Sequence, residues 1–241
     1  MKEMRRPLGV GTWIAAGSPV VTEMIDSLGF DWLLFDLEHG NMTDKDVLDN
    51  LQVVKNARVI VRVGEFSSSL IARVLDWGAS GIMMPHVGSA EEAERVIEAM
   101  RYPPYGNRGF SGSARCYGYG AYPPKDTVSH PAPIFLAQIE NTCGVQNALE
   151  IAQVPGVDIL FVGPADLKLD YTVNGKTPQE FEEALSHVAS VAEKQGKQSG
   201  ILIRNPADLY KLQQYGYTAI AVCSDLGVMR QSYLELSNQY V

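Results

Sequence analysis

Short apolar runs recur along the chain. Each is followed by a stretch whose apolar residues return every three or four positions. The runs LGVGTWI (8–14), DWLLFD (31–36), RVIVRV (58–63), GIMMP (81–85), IFLAQIE (134–140), DILFVG (158–163), SGILI (199–203) and TAIAV (218–222) are short and rich in β-branched or aromatic residues. That pattern predicts buried strands. The intervening segments 43–56, 68–78, 89–100, 144–154, 177–196 and 206–216 carry helical spacing. Thr43 is placed as an N-cap with Asp46 three residues on, and Ser89 with Glu92 predicts a capping box. Gly29, Gly78, Gly196 and Gly216 stand where helices end, the position that favours a left-handed C-cap. A further amphipathic helix is predicted over 225–238.

Strands that alternate with helices predict a parallel sheet, because parallel neighbours need a crossover. Eight such units in 241 residues predict a closed (β/α)8 TIM barrel in a single α/β domain spanning 1–241. No G-x-G-x-x-G follows the first strand, which weakens a dinucleotide-binding sheet. Residues 101–126 break the rhythm with a Gly-, Pro-, Tyr- and Arg-rich stretch. A loop of that length is usually functional or mobile. Its GFSGS lacks the last glycine of G-x-S-x-G, since Ser113 stands there.

Composition narrows the function classes. The net charge of -8 comes without a basic stripe, so nucleic acid is not expected as a partner. No apolar run reaches the roughly 18 residues of a membrane span, and the N-terminus has no signal-peptide core, so a cytoplasmic protein is expected. Cys116, Cys143 and Cys223 are too widely spaced for a metal motif. They are expected as small buried hydrophobes in a reducing compartment.

In a barrel of this type the chemistry gathers at the C-terminal ends of the strands. Those ends carry Trp13, Asp36, Glu38, His39, Arg62, His86, Gln138, Glu140, Asp166 and Arg204. Glu140 and Asp166 end neighbouring strands, roughly 4.8 Å apart. Two carboxylates so close hold either Mg²⁺ or Mn²⁺, or else a helix cap or an arginine. Arg62 either receives an oxyanion or pairs with Asp36 or Glu38. His39 is either a general acid/base or structural. His86 is a weaker candidate, His130 falls in a loop and His187 in mid-helix. Asp76 either orients a histidine or projects into solvent near its helix end. The turn Gly163-Pro164-Ala165 offers backbone N–H groups to a carboxylate. The combination suggests a site for a small anionic 2-oxo compound. No lysine sits at an apolar strand end, which disfavours a Schiff base.

The chain resembles the HpcH/HpaI aldolase family. The resemblance rests on GTW, GFDWLLFDLEHG, VRV, RVLDWGASGIMMP, SAEEAERVIEAMRYPPYGNRG, AQIEN, GPADL and GILI, in that order over nearly its whole length. It implies a cytoplasmic (β/α)8 lyase that reversibly cleaves a 4-hydroxy-2-oxo acid to pyruvate and an aldehyde through an enolate. A divalent metal is implied, Mg²⁺ or Mn²⁺ with Co²⁺ a third candidate, held by Glu140 and Asp166 with Gln138 in support. Arg62 would stabilise the enolate oxygen. His39 would transfer protons with Asp76 as its partner, supported by Asp36 and Glu38. Gly163, Pro164, Ala165 and Asp166 would receive the pyruvate carboxylate, and Trp13, Ser113 and Leu202 would line the aldehyde pocket. A homo-oligomer, a hexamer built as a trimer of dimers, is implied too, with helix 225–238 packing on its own barrel or on a neighbour.

His86, Lys168 and the tyrosine-rich loop depart from the family pattern and bear on the aldehyde. Lys168 either favours an anionic acceptor or is a solvated loop residue. Two alternatives share the same residues: a related barrel acting on oxaloacetate or phosphoenolpyruvate, and a non-catalytic oxo-acid-binding barrel.

Overall fold

The computed structural model describes residues 7–128 and 130–240. Eight parallel strands close into a barrel in sequence order, each hydrogen-bonded to the next and the last to the first. They are β1 (Val10–Ile14), β2 (Trp32–Asp36), β3 (Arg58–Arg62), β4 (Gly81–Met84), β5 (Ile134–Ile139), β6 (Ile159–Val162), β7 (Gln198–Ile203) and β8 (Ala219–Ser224). The helices are α1 (Pro19–Asp26), α2 (Asp44–Val53), α3 (Ser68–Asp76), α4 (Ala90–Met100), α5 (Thr142–Gln146), α6 (Ala148–Gln153), α7 (Pro164–Val173), α8 (Pro178–Lys194), α9 (Leu209–Tyr215) and α10 (Asp225–Tyr240). The predicted (β/α)8 architecture is the one observed.

Local chemistry sets the helix starts. Thr43 and Asp46 form a full capping box ahead of α2. At α4 the Ser89 hydroxyl accepts from the Glu92 N–H, but the Glu92 carboxylate accepts from Gly88, one residue further back. The box predicted there is therefore shifted on one side. Gly29, Gly78, Gly196 and Gly216 all have positive φ, as their places before strands require. The segment predicted as a turn after Gly163 continues as a full helix, α7, with Pro164 in its first turn. Pro164 lacks an N–H, which no first-turn residue needs.

The period-2 alternation of each strand divides the core. Outward residues such as Leu33, Phe35, Val59 and Val61 pack against the helices. Inward residues Trp13, Trp32, Leu34, Ile60, Met83, Leu136 and Phe161 fill the barrel. Trp32 meets Trp13 and Phe161 edge-on, with ring centroids 6.5 and 6.1 Å apart, and its indole N–H donates to the Gly9 carbonyl. Asp36, Arg62 and Gln138 continue the inward series above these rings, so the strand pleat itself aims them at the barrel mouth.

The described residues of the 101–133 segment join the end of α4 to the start of β5, which places them at the N-terminal end of the barrel. The segment is anchored there. Arg108 pairs with Asp76 at the end of α3, and Arg115 donates to the carbonyls of Trp77 and Leu51. The Tyr102 and Tyr117 hydroxyls share a 2.9 Å hydrogen bond. The loop expected to bear on the aldehyde has its described anchors at the end of the barrel opposite the mouth.

α10 begins at a buried residue, Asp225, which accepts from the N–H groups of Ala15 and Ala16 at 2.9 and 3.0 Å. The rest of α10 is exposed. Cys116 and Cys143 are exposed and Cys223 is half-buried, contrary to the expectation of buried thiols, and all three are free. Among the described residues no helix is long and apolar enough to cross a membrane.

Candidate active site

A cavity of about 1050 Å³ opens at the C-terminal mouth of the barrel. Trp13, Asp36, His39, Arg62, Gln138, Gly163, Pro164, Ala165, Asp166 and Leu202 line it together. The parallel register explains the grouping. Asp36 on β2 lies opposite Arg62 on β3, and Gln138 on β5 lies opposite Phe161 on β6.

Arg62 is the electrostatic centre. Its Nε and one terminal nitrogen donate to the two Asp36 oxygens at 3.0 and 2.8 Å. Its other terminal nitrogen lies 2.7 Å from Glu38 Oε2. The guanidinium stacks 5.4 Å from the Trp13 ring. Asp36 takes two of its five N–H groups by hydrogen bond and Glu38 holds the other terminal nitrogen as an ion pair, which leaves N–H groups for a ligand. The ion pairs that were one alternative for Arg62 are therefore present, and they orient the side chain within the cavity. Burial pushes the Asp36 carboxyl up. The Arg62 fork and the N–H groups of His39 and Glu38 outweigh it and hold the group below its ordinary value.

Glu140 directly follows β5 and is buried. Its Oε1 accepts the His86 N–H at 2.7 Å, and its Oε2 accepts from Gln138 Nε2. Burial pushes its pKa up to about 7, and the negative charges of Glu38 and Asp166 act in the same direction against His86. Asp166 lies in the first turn of α7, half-buried beside this carboxylate. Gly163 has to be glycine. A Cβ there would fall 2.4 Å from Glu140 Oε2 and 2.7 Å from Gln138 Nε2. The backbone and the carboxylate share one space.

His86 holds a larger place in the site than its sequence position suggests. Its imidazole Nδ1 lies 3.1 Å from Glu140 Oε1 and its Nε2 lies 3.4 Å from Glu38 Oε1. Glu38, His86 and Glu140 form a donor cluster able to hold a metal ion. The strand-end position of His86 makes it a candidate, but its contacts do not follow from the pattern. Its positive φ of 55° is visible only in three dimensions.

Two predicted residues lie elsewhere. Asp76 ends α3, and helices in this fold run back to the N-terminal end of the barrel. Its carboxylate takes Arg108, so within the chain it does not partner His39. Ser113 is exposed on the 101–133 crossover and does not line the mouth cavity. His39 itself is exposed on the turn after β2, with Nε2 3.9 Å from Glu38 Oε1. That turn is shaped by Asp36 Oδ1, which accepts from the N–H groups of both Glu38 and His39.

Comparison with known proteins gives the family. The model of the HpcH/HpaI aldolase/citrate lyase family matches residues 10–232. The chain belongs to the HpcH/HpaI aldolase/citrate lyase family. A 5-keto-4-deoxy-D-glucarate aldolase of Klebsiella pneumoniae subsp. pneumoniae is 37% identical over 235 residues, covering 96% of this chain and 91% of its own. A 5-keto-4-deoxy-D-glucarate aldolase of an Enterobacter species is 36% identical over 238 residues, covering 98% and 93%. The crystal structure of an HpcH/HpaI aldolase/citrate lyase family protein from Burkholderia cenocepacia superposes with a TM-score of 0.87 at 28% identity, covering 97% of this chain and 95% of the other. The chain is an enzyme of this aldolase family, a carbon–carbon lyase.

Proposed function

We propose that this HpcH/HpaI enzyme cleaves a 4-hydroxy-2-oxo acid reversibly to pyruvate and an aldehyde, with a divalent ion held by Glu140 and Asp166. One observation carries the reading: Asp166, a guanidinium with unused donors and a helix N-terminus line one cavity, with the carboxylate of Glu140 buried against Gly163 of its wall.

The residues fit a dication. Glu140 and Asp166 supply hard oxygen donors, and their mutual repulsion is relieved by positive charge between them. The buried Gln138 Oε1 has no hydrogen-bond partner among the described residues, an acceptor left for a bound water or substrate. When bound, Mg²⁺ or Mn²⁺ would polarise the 2-oxo group. The chain supplies the rest. The N–H groups of Ala165 and Asp166, unpaired by any helical carbonyl, would receive the pyruvate carboxylate at the positive end of α7. The unused Arg62 N–H groups would meet the oxygen on which enolate charge develops. His39, at the rim, would exchange the proton of the aldehyde oxygen with solvent. Asp36 and Glu38 orient Arg62.

The acceptor side of the cavity is lined by Leu202, Lys168 and Arg204. The two cations suit an acidic aldehyde, in keeping with relatives named for a sugar acid.

The test requires no knowledge of the aldehyde. With Mg²⁺ or Mn²⁺ in D₂O, the enzyme is expected to exchange the methyl protons of pyruvate, followed by NMR. Absence of exchange above a metal-only blank, with metal shown to be bound, would sink the reading.

We also propose a homo-oligomer in which α10 packs on a second copy. Val228, Met229, Leu234 and Leu236 leave its surface apolar and exposed. Leu234→Lys is expected to lower the mass measured by light scattering. An unchanged mass argues that α10 plays no part in assembly.

A further inference from the structure

We propose, on the metal-dependent reading above, that Asp170 is a positioning residue for the metal centre. Through Thr142 it locks the segment that carries Asp166 to the segment that carries Glu140, and so holds the two carboxylates at their separation.

The ladder between β5 and β6 ends just where the two carboxylates begin. Its last rung is the 3.2 Å bond from the Gly163 N–H to the Ile139 carbonyl. Beyond it the chains part. Glu140 leads into α5, and Gly163 leads into α7, which carries Asp166. Among the described residues two hydrogen bonds cross between 140–147 and 164–174, and both end on Asp170 Oδ2. The Thr142 N–H donates at 2.7 Å and the Thr142 hydroxyl at 2.6 Å. Short bonds to a carboxylate are the stronger kind.

Each end of this link lies close to a proposed ligand. Thr142 is two residues past Glu140, at the first position of α5. Asp170 is four residues past Asp166, one turn along the same face of α7. One turn of hydrogen-bonded helix moves as a unit, so what fixes Asp170 fixes Asp166.

Helix chemistry alone gives no reason for an aspartate here. Asp170 stands in the last turn of α7, where aspartate is a poor helix former and its charge meets the negative end of the helix dipole. The two Thr142 donors offset that cost. Its other oxygen, Oδ1, takes Asn174 Nδ2 at 3.2 Å, which turns Oδ2 towards Thr142. The remaining hold of α7 on the barrel is apolar, through buried Leu167 and Tyr171. Apolar packing is non-directional and does not by itself stop a helix from sliding. The link to Thr142 is directional and sets the register.

The intact enzyme, stripped of metal with EDTA, is titrated with Mn²⁺ and the free ion is read by EPR. Asp170→Ala is expected to weaken Mn²⁺ binding roughly 10-fold, as loss of a residue that orients metal ligands does. Thr142→Val keeps the N–H and loses the hydroxyl, and a loss of about 3-fold is expected. Thr142→Ser keeps both donors and should bind as the parent does. Thr172→Gly weakens α7 at an exposed position without touching the link, and its affinity should stay within about 2-fold of the parent's. In the pyruvate exchange assay, Asp170→Ala is expected to raise KM more than it lowers kcat, because the N–H groups that would seat the carboxylate move with α7. Parent affinity in Asp170→Ala overturns the proposal. Equal weakening in Thr172→Gly overturns it too, since Asp170 would then serve helix stability alone. If Asp170→Ala does not fold, Thr142→Val decides, and parent affinity there overturns the proposal. Glu140→Ala tests the wider reading. If it binds Mn²⁺ as the parent does, the metal centre itself is misplaced. If it loses the ion while Asp170→Ala keeps it, only the role of Asp170 is wrong.

Discussion

Replacing Glu140 by Gln is expected to abolish turnover and, in metal-free protein, to raise stability. The two effects have one cause. Burial pushes the Glu140 carboxyl up to about 7 from an ordinary 4.5. The folded protein thus holds this proton more tightly than the unfolded chain does. The contribution to stability is fully present below about pH 4.5 and is lost as pH rises through 7. At pH 8 the folded state carries a buried carboxylate that corresponds to roughly 3 kcal/mol of lost stability. The Glu140→Gln substitution removes that charge. The new amide N–H₂ then faces one of the donors, His86 N–H or Gln138, which offsets part of the gain. A net gain of about 1–2 kcal/mol at pH 8 and none at pH 4 is expected from urea melts in EDTA. Added Mn²⁺ is expected to reverse the order, stabilising the parent and not the variant. Pyruvate proton exchange is expected to fall at least roughly 10³-fold. A variant that exchanges at the parent rate would remove Glu140 from the metal centre.

Arg62→Met is expected to fail on both counts. Asp36 and Glu38 flank a guanidinium that is itself buried, and removing it strands two carboxylates. Breaking a buried pair from one side costs about 3–5 kcal/mol. A drop of that size in the unfolding free energy from urea melts is expected at neutral pH. It should shrink on acidification, because the parent loses the Asp36–Arg62 contribution as pH falls through the depressed Asp36 pKa. Exchange activity is expected to fall roughly 10²–10³-fold. Asp36→Asn combined with Arg62→Met should recover part of the stability and none of the activity. Recovery of activity in the double variant would show that Arg62 serves the fold alone. Arg62→Lys should lie between, since one ammonium cannot span the Asp36 fork and Glu38 together.

The strand pattern makes much of this site legible. In DWLLFD, RVIVRV and IFLAQIE the alternation that buries Leu34, Ile60 and Leu136 inside the barrel also turns Asp36, Arg62 and Gln138 inward. Strand order then brings together residues a hundred positions apart. What escapes has no period to betray it. His86 follows a proline and enters the site through a backbone conformation that sequence does not encode visibly. Asp225 reaches back to Ala15 and Ala16 across most of the chain length. The start of α7 reads as a turn because GPAD matches turn chemistry as well as it matches a helix start. Asp76 and Ser113 lie away from the mouth cavity of their own chain for a simpler reason. The family pattern does not say which end of one barrel a residue occupies, and both lie on elements of the far end.

The rings of Trp13, Trp32 and Phe161 have a kinetic consequence. They stopper the axis of the barrel, so the cavity is a cup with a single lip. On the proposed reading, pyruvate, seated by Gln138 and the start of α7, would occupy the depth, and the aldehyde, beside His39, Lys168 and Arg204, the rim. Whatever sits at the rim would block the way out. In the cleavage direction the aldehyde would then depart first and pyruvate last. In the synthetic direction pyruvate would enter before its acceptor, a compulsory queue imposed by three aromatic side chains that touch no reacting bond.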